Sequence, residues 1–140
     1  MKIDWIDDKL GITTTIDNYN DLVDVNAVFN VRGEYHDDIY ELTKRGIAYY
    51  WIPIPNWLPP TKGQIDTFLK VVKDSKGKII VHCEYGIGRS GVLVIAYLIE
   101  NKIVNTLEEA FKYMKDLGHP VDEMWIAQHD KLRKHYGKSG

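Results

Sequence analysis

The chain has a single cysteine, Cys83, among its 140 residues. An intramolecular disulfide is therefore impossible, and such sparing use of cysteine fits a reducing compartment. No apolar run approaches the roughly 20 residues that a membrane-spanning helix needs. The formal net charge is only −2, which gives no general attraction to nucleic acid or to an anionic membrane. His36, His119, His129 and His135 are scattered without paired metal-ligand spacing, so neither a metal nor another cofactor is expected. The opening Met1-Lys2-Ile3-Asp4 carries charge where a signal peptide would be apolar, and a cytoplasmic protein is the expectation. There is no internal repeat and no linker. The length suits one domain with one core, expected over 1–137 with Lys138-Ser139-Gly140 as a short flexible tail.

What is present alternates between strand and helix patterns. Lys2 to Trp5, Leu10 to Thr13, Ala27 to Asn30 and Ile47 to Ile52 read as strands. Asp17 to Asp24 is a weak helix candidate, and Asp38-x-x-Glu41 suggests a capping box opening a short helix that Gly46 closes. Pro53, Pro55, Pro59 and Pro60 predict a stiff, irregular loop. Thr61-x-x-Gln64 caps a helix with Ile65, Phe68, Leu69 and Val72 on one face. Lys78 to His82 is a β-branched strand, and the helix from about 90 to 101 is apolar nearly all round, as a buried helix would be. Thr106-x-x-Glu109 opens another helix that ends at Gly118, and Asp122 opens the last. Tyr49-Tyr50-Trp51 could pass for a base-stacking set, but strand alternation explains it. The order predicts an α/β fold: one domain, a central, mostly parallel twisted sheet with helices on both faces. Ligands on such sheets sit at the carboxyl ends of strands.

Cys83 stands at such an end, within His82-Cys83-Glu84-Tyr85-Gly86-Ile87-Gly88-Arg89-Ser90-Gly91. Five residues separate the cysteine from the arginine, and two of them are glycines. This spacing suits a phosphate cradle with a nucleophile at its base. Glycine lets successive N–H groups of Glu84, Tyr85, Gly86, Ile87 and Gly88 turn toward one oxyanion. The N-terminus of the following helix favours negative charge, both on the anion and on a thiolate. Arg89 offers a planar fork for two phosphate oxygens, which lysine cannot. The Ser90 hydroxyl is placed to hydrogen-bond the Cys83 sulfur as it leaves, and His82 to fix the cysteine backbone. Glu84 either points to solvent while its N–H faces the anion, or selects against highly charged ligands.

The stretch resembles the signature of the cysteine-dependent protein tyrosine phosphatases, His-Cys-x5-Arg-Ser/Thr. Residues 3 to 136 are similar to the small dual-specificity phosphatases, above all to minimal archaeal-type members. The resemblance implies hydrolysis of phosphotyrosine, with phosphoserine and phosphothreonine as further substrates, through a cysteinyl-phosphate. It implies phosphoprotein or phosphopeptide partners and inhibition by phosphate-like oxyanions. Gln128 matches a glutamine that this group carries near the site. Trp57 is either a pocket wall for an aryl ring or ordinary loop packing. The loop lacks the lysines of the related lipid-acting branch, which argues against a lipid headgroup. The chain has no counterpart of the phosphotyrosine-recognition loop, so a shallow pocket is expected.

One position departs from the family pattern. The general acid of these enzymes is an aspartate, and Ile52-Pro53-Ile54-Pro55-Asn56 resembles its loop with Asn56 in the acid's place. An amide cannot protonate a leaving group. No Asp or Glu lies between Glu41 and Asp66 to take over locally. Three readings follow: a natural variant with a surrogate acid such as Glu34 or Asp37, a substitution that traps substrate, or a phosphoprotein-binding module with weak turnover. Asn56→Asp separates them. An alkaline limb in a pH–rate profile reports an acid that must stay protonated. Wild type is expected to lack that limb and Asn56→Asp to gain it. The rate gain should reach about 10²–10⁴-fold on a phosphotyrosine peptide and stay small on nitrophenyl phosphate, whose leaving group needs little protonation. A bell-shaped wild-type profile with no gain from Asn56→Asp would assign the proton to another residue.

Overall fold

The computed structural model describes residues 2–55, 58–83 and 89–122. Its elements are β1 (Asp4–Trp5), β2 (Leu10–Thr13), a 3-10 turn (Tyr19–Asp21), β3 (Val25–Arg32), α1 (Ile39–Lys44), β4 (Ala48–Ile54), α2 (Lys62–Asp74), β5 (Lys78–His82), α3 (Arg89–Glu100) and α4 (Leu107–Leu117). The strands form one sheet in the order β1-β2-β5-β3-β4. β1 runs antiparallel to β2, and the other three pairings are parallel. The mostly parallel sheet expected from the sequence is therefore the fold. β5 lies at its centre, which aims Cys83 at the carboxyl edge between β2 and β3.

Both faces are covered. On one, Phe29, Ile79 and Val81 pack with Phe68 of α2, Leu93 of α3 and Met114 of α4. On the other, Val28 and Ile80 pack with Leu42 of α1 and with Ile16 and Leu22. This two-sided burial explains the short apolar runs at the middle of β3 (27–29) and of β5 (79–81). Phe29 joins the layers laterally: its ring stacks on Tyr50 at 4.9 Å and meets Phe68 edge-on at 5.1 Å.

The caps hold where the signal is local. Thr61 and Gln64 form the full capping box, and Thr106 accepts from Glu109 N–H. Gly118 closes α4 in the left-handed region at φ 93°. Asp38 forms only half of its box. Its carboxylate accepts from Glu41 N–H, but Glu41 turns to Arg45, and Asp38 N–H donates to the Tyr19 hydroxyl instead. The helix expected over 17–24 shrinks to a 3-10 turn, because Asn18 takes Asn20 N–H with its own side chain.

β3 outruns the expected Ala27–Asn30, and the polar residues that hid its ends sit at irregularities. Register shifts between Val25 and Ala27, where Asn26 Oδ1 accepts Lys78 N–H in place of a ladder carbonyl. Gly77 is obligatory opposite it: its φ is +88°, and a Cβ there would lie 2.1 Å from Asn26 Oδ1. The second shift lies between Asn30 and Arg32, where Asn30 Oδ1 accepts Arg32 N–H. Pro53 belongs to β4 and not to the following loop. β4 is an edge strand, where a residue without an N–H is tolerated. The helix expected after Asp122 and the tail 138–140 lie outside the described residues.

α3 is buried from Arg89 to Ile99, as its all-round apolar pattern requires. Its first turn is tightly packed. A Cβ on Gly91 would sit 2.4 Å from Val121 Cγ2. Gly91→Ala is therefore expected to cost about 1–3 kcal/mol through overpacking. The cost should shrink in a Val121→Ala background, as read by urea unfolding of all four chains. Equal costs in both backgrounds would show that the contact does not set the glycine requirement.

Candidate active site

The strand-to-helix connection places Cys83 directly after β5 and Arg89 at the first residue of α3. Cys83 is buried, 1% exposed, with Sγ 3.1 Å from Ser90 Oγ. Sulfur and hydroxyl thus meet at the N-terminus of a 12-residue helix, whose dipole favours a bound anion.

Arg89 is buried too, at 2% exposure. A buried guanidinium needs partners, and three contacts supply them. Nη1 donates to Glu34 Oε1 at 2.6 Å and to the Ile54 carbonyl at 2.9 Å, while Nη2 donates to Glu34 Oε2 at 3.2 Å. Glu34 reaches it from the loop after β3. That loop hugs the end of β4: Gly33 N–H also donates to Ile54 O, at 3.1 Å. The hydrogen bond from Arg89 holds the Glu34 carboxyl below its ordinary range, against a smaller opposing push from burial.

A second network lies behind the cysteine. His82 Nε2 is 2.7 Å from Asp37 Oδ2, and Arg32 Nη2 donates to Asp37 Oδ1 at 2.9 Å. Arg32 Nε in turn reaches Asn30 Oδ1, whose amide nitrogen donates to the Tyr49 hydroxyl and the Tyr35 carbonyl. The Asp37 side chain is only 1% exposed. His82 Nδ1 is buried with no partner among the described residues.

Of the residues singled out from the sequence, the structure brings together Cys83, Ser90, Arg89 and His82, along with Glu34 and Asp37. The two carboxylates occupy settings unlike those of a proton donor. Asp37 has both oxygens engaged in the interior. Glu34, 35% exposed, is hydrogen-bonded to Arg89, which holds its carboxyl below the ordinary range. Glu84, Tyr85, Gly86, Ile87, Gly88, Asn56, Trp57 and Gln128 lie outside the described residues. The supporting Asn30, Arg32 and the Ile54 carbonyl were not foreseen. Two polar residues at the carboxyl end of an otherwise apolar strand were the available signal for the first two.

In chemical terms, a sulfur in contact with a hydroxyl, ahead of a helix that opens with a buried arginine, is suited to attacking and holding a tetrahedral anion. The comparisons agree. The profile of the family described as "Dual specificity phosphatase, catalytic domain" matches residues 10–124. The chain belongs to that family. Dual specificity protein phosphatase 4 of Homo sapiens is 46% identical over 48 residues, which are 34% of this chain and 12% of that protein. The Tyrosine-protein phosphatase of Autographa californica nuclear polyhedrosis virus is 28% identical over 100 residues, 68% of this chain and 59% of that one. The matches thus span only part of each curated relative. Among solved structures, PTPMT1 superposes with TM-score 0.81 at 19% identity, covering 96% of this chain and 95% of that one. Tk-PTP in its active form gives 0.77 at 24%, covering 94% and 96%. At those identities the likeness establishes the fold.

The Arg32–Asp37–His82 network invites a direct stability test. Asp37→Ala removes the carboxylate shared by buried Arg32 and His82 and is expected to cost about 3–5 kcal/mol. Asp37→Asn keeps the shape and one acceptor and should cost less. Denaturant unfolding compares the two. A loss under about 1 kcal/mol for Asp37→Ala, typical of an exposed pair, would contradict the burial argument.

Proposed function

We propose that this chain is a phosphatase that hydrolyses phosphotyrosine in proteins, and phosphoserine and phosphothreonine as well, through a cysteinyl-phosphate on Cys83. The observation that carries the reading is the 3.1 Å contact of Cys83 Sγ with Ser90 Oγ at the end of β5, with Arg89 opening the helix that follows, in a chain of the dual specificity phosphatase family. The Cys83 thiolate attacks phosphorus. The Sγ–P bond forms as the bond to the tyrosine oxygen breaks, and the oxygen takes up a proton. Water then attacks the phosphocysteine, inorganic phosphate departs, and Ser90 donates to the sulfur as it regains its charge. Arg89 and the N–H groups of residues 84–88 hold the equatorial oxygens in both steps. Phosphate-like oxyanions fit the same cradle and compete. No cofactor enters this scheme. No helix among the described residues is long and apolar enough to cross a membrane, and a cytoplasmic site of action suits the lone thiol.

Weak turnover, with phosphoprotein binding as the main outcome, is a second reading that one set of observations favours. Asn56 stands where the resemblance calls for an acid. Asp37 is sealed inside, and Glu34 is engaged on Arg89. Proton supply to the leaving group then falls to water, and the rate depends steeply on leaving-group pKa.

Cys83→Ser tests the main reading. It is expected to bind a phosphotyrosine peptide with affinity close to wild type. Its turnover of nitrophenyl phosphate should fall by about 10³-fold or more. Titration calorimetry and steady-state kinetics check the two halves. Unimpaired hydrolysis by Cys83→Ser would end the cysteinyl-phosphate mechanism, and loss of peptide binding would place the phosphate elsewhere.

A further inference from the structure

We infer that Glu34 is a positioning residue that orients Arg89, by occupying one edge of the guanidinium so that the other edge faces the substrate phosphate. The inference rests on the proposed phosphatase reading and extends it to a residue outside the signature loop.

A guanidinium has five N–H groups in a rigid plane. Both hydrogens of Nη1 are taken, one by Glu34 Oε1 and one by the Ile54 carbonyl. One hydrogen of Nη2 goes to Glu34 Oε2. Glu34 thus grips the end-on edge with both oxygens, and the carbonyl closes the remaining Nη1 position. Nε–H and the second Nη2–H are left, side by side and parallel. Among the described residues nothing accepts from them. That pair is a bidentate fork of the kind that binds two oxygens of one phosphate.

The support behind Glu34 is built with the same economy. Gly33 lets the loop pass close to β4: a Cβ there would sit 3.1 Å from Ile54 O and 3.2 Å from Ile54 C. Ile54 O therefore accepts from Gly33 N–H and Arg89 Nη1 together, and the loop that carries Glu34 is registered to the arginine it holds. A long arginine side chain loses much rotamer entropy when fixed. Here three contacts fix it before substrate arrives, so little of that cost falls on binding or on reaching the transition state.

Glu34 also carries charge, and two rival roles make different predictions. As a mere counter-charge it would weaken anion binding, and its removal would tighten it. As a proton donor it would matter only for poor leaving groups. As a positioning residue it should matter for every leaving group and for unreactive oxyanions as well.

The test uses the full chain with Glu34→Ala and Glu34→Gln. Vanadate and inorganic phosphate are titrated by calorimetry into each, with and without Cys83→Ser. Turnover is measured on nitrophenyl phosphate and on a phosphotyrosine peptide. Glu34→Ala is expected to weaken both oxyanions by about 10–100-fold and to lower kcat by a similar factor, equally for the two substrates. Glu34→Gln keeps one acceptor toward Arg89 and should recover part of both losses. If Glu34→Ala does not fold by circular dichroism, the Glu34→Gln titration decides. Unchanged or tighter oxyanion binding in the folded variants overturns the inference, as does a kcat loss confined to the peptide. Failure of wild type itself to bind phosphate and turn over either substrate is a different result: it removes the phosphatase reading.

Discussion

A positive charge held almost entirely out of water at the first residue of α3 constrains everything around the site. Arg89 cannot be buried there unless its charge is paired, because an unpaired charge in the interior is strongly destabilising. Its partners come from two distant stretches: Glu34 after β3 and the backbone carbonyl of Ile54 at the end of β4. The arginine therefore fastens the carboxyl ends of two strands to the start of a helix whose body is buried from Arg89 to Ile99. The apolar face of the helix supplies the cohesion, and the guanidinium supplies the register.

The loop between β3 and α1 makes this attachment twice. Glu34 takes the arginine that ends the signature loop, and three residues on, Asp37 takes the histidine that begins it. Asp37 is itself anchored by Arg32, and Arg32 by Asn30, so the chain of contacts leads back into β3. Linked polar groups in a low-dielectric interior polarise and rigidify one another. That rigidity is what a phosphate cradle needs, since preorganised donors cost no reorganisation when charge develops. The same loop thus governs both ends of the reactive segment without belonging to it.

Much of this was legible in the sequence where the determining contacts are local. Thr61-x-x-Gln64 and Thr106 announced their helices because capping is settled within four residues. β5 and α3 announced themselves by composition, since a central strand and a fully buried helix tolerate little polar character. The family was carried by Cys83 and Arg89 together with His82 before them, Ser90-Gly91 after them, and the strand–helix context around them. The rest depended on contacts that no local pattern encodes. Glu34 and Arg89 are 55 residues apart, and Asp37 and His82 are 45 apart. Their pairing follows from strand order, which places β3 beside β5. Both acids stood out from the sequence as stand-ins for a missing proton donor. In the structure they are ligands of buried cationic and imidazole groups. The ends of β3 were obscured for a related reason: Asn26 and Asn30 repair the ladder with their own side chains, and a polar residue that serves as backbone reads like a turn.

On the proposed mechanism Cys83, held between these supports, carries the phosphoryl group. Its most direct test is to mix the enzyme with excess nitrophenyl phosphate, stop the reaction by denaturation within the first turnovers, and weigh the peptides. The account predicts one phosphoryl group on the peptide containing Cys83, gone once substrate is exhausted. Turnover that leaves Cys83 unmodified at every time, or that labels another residue, would contradict it.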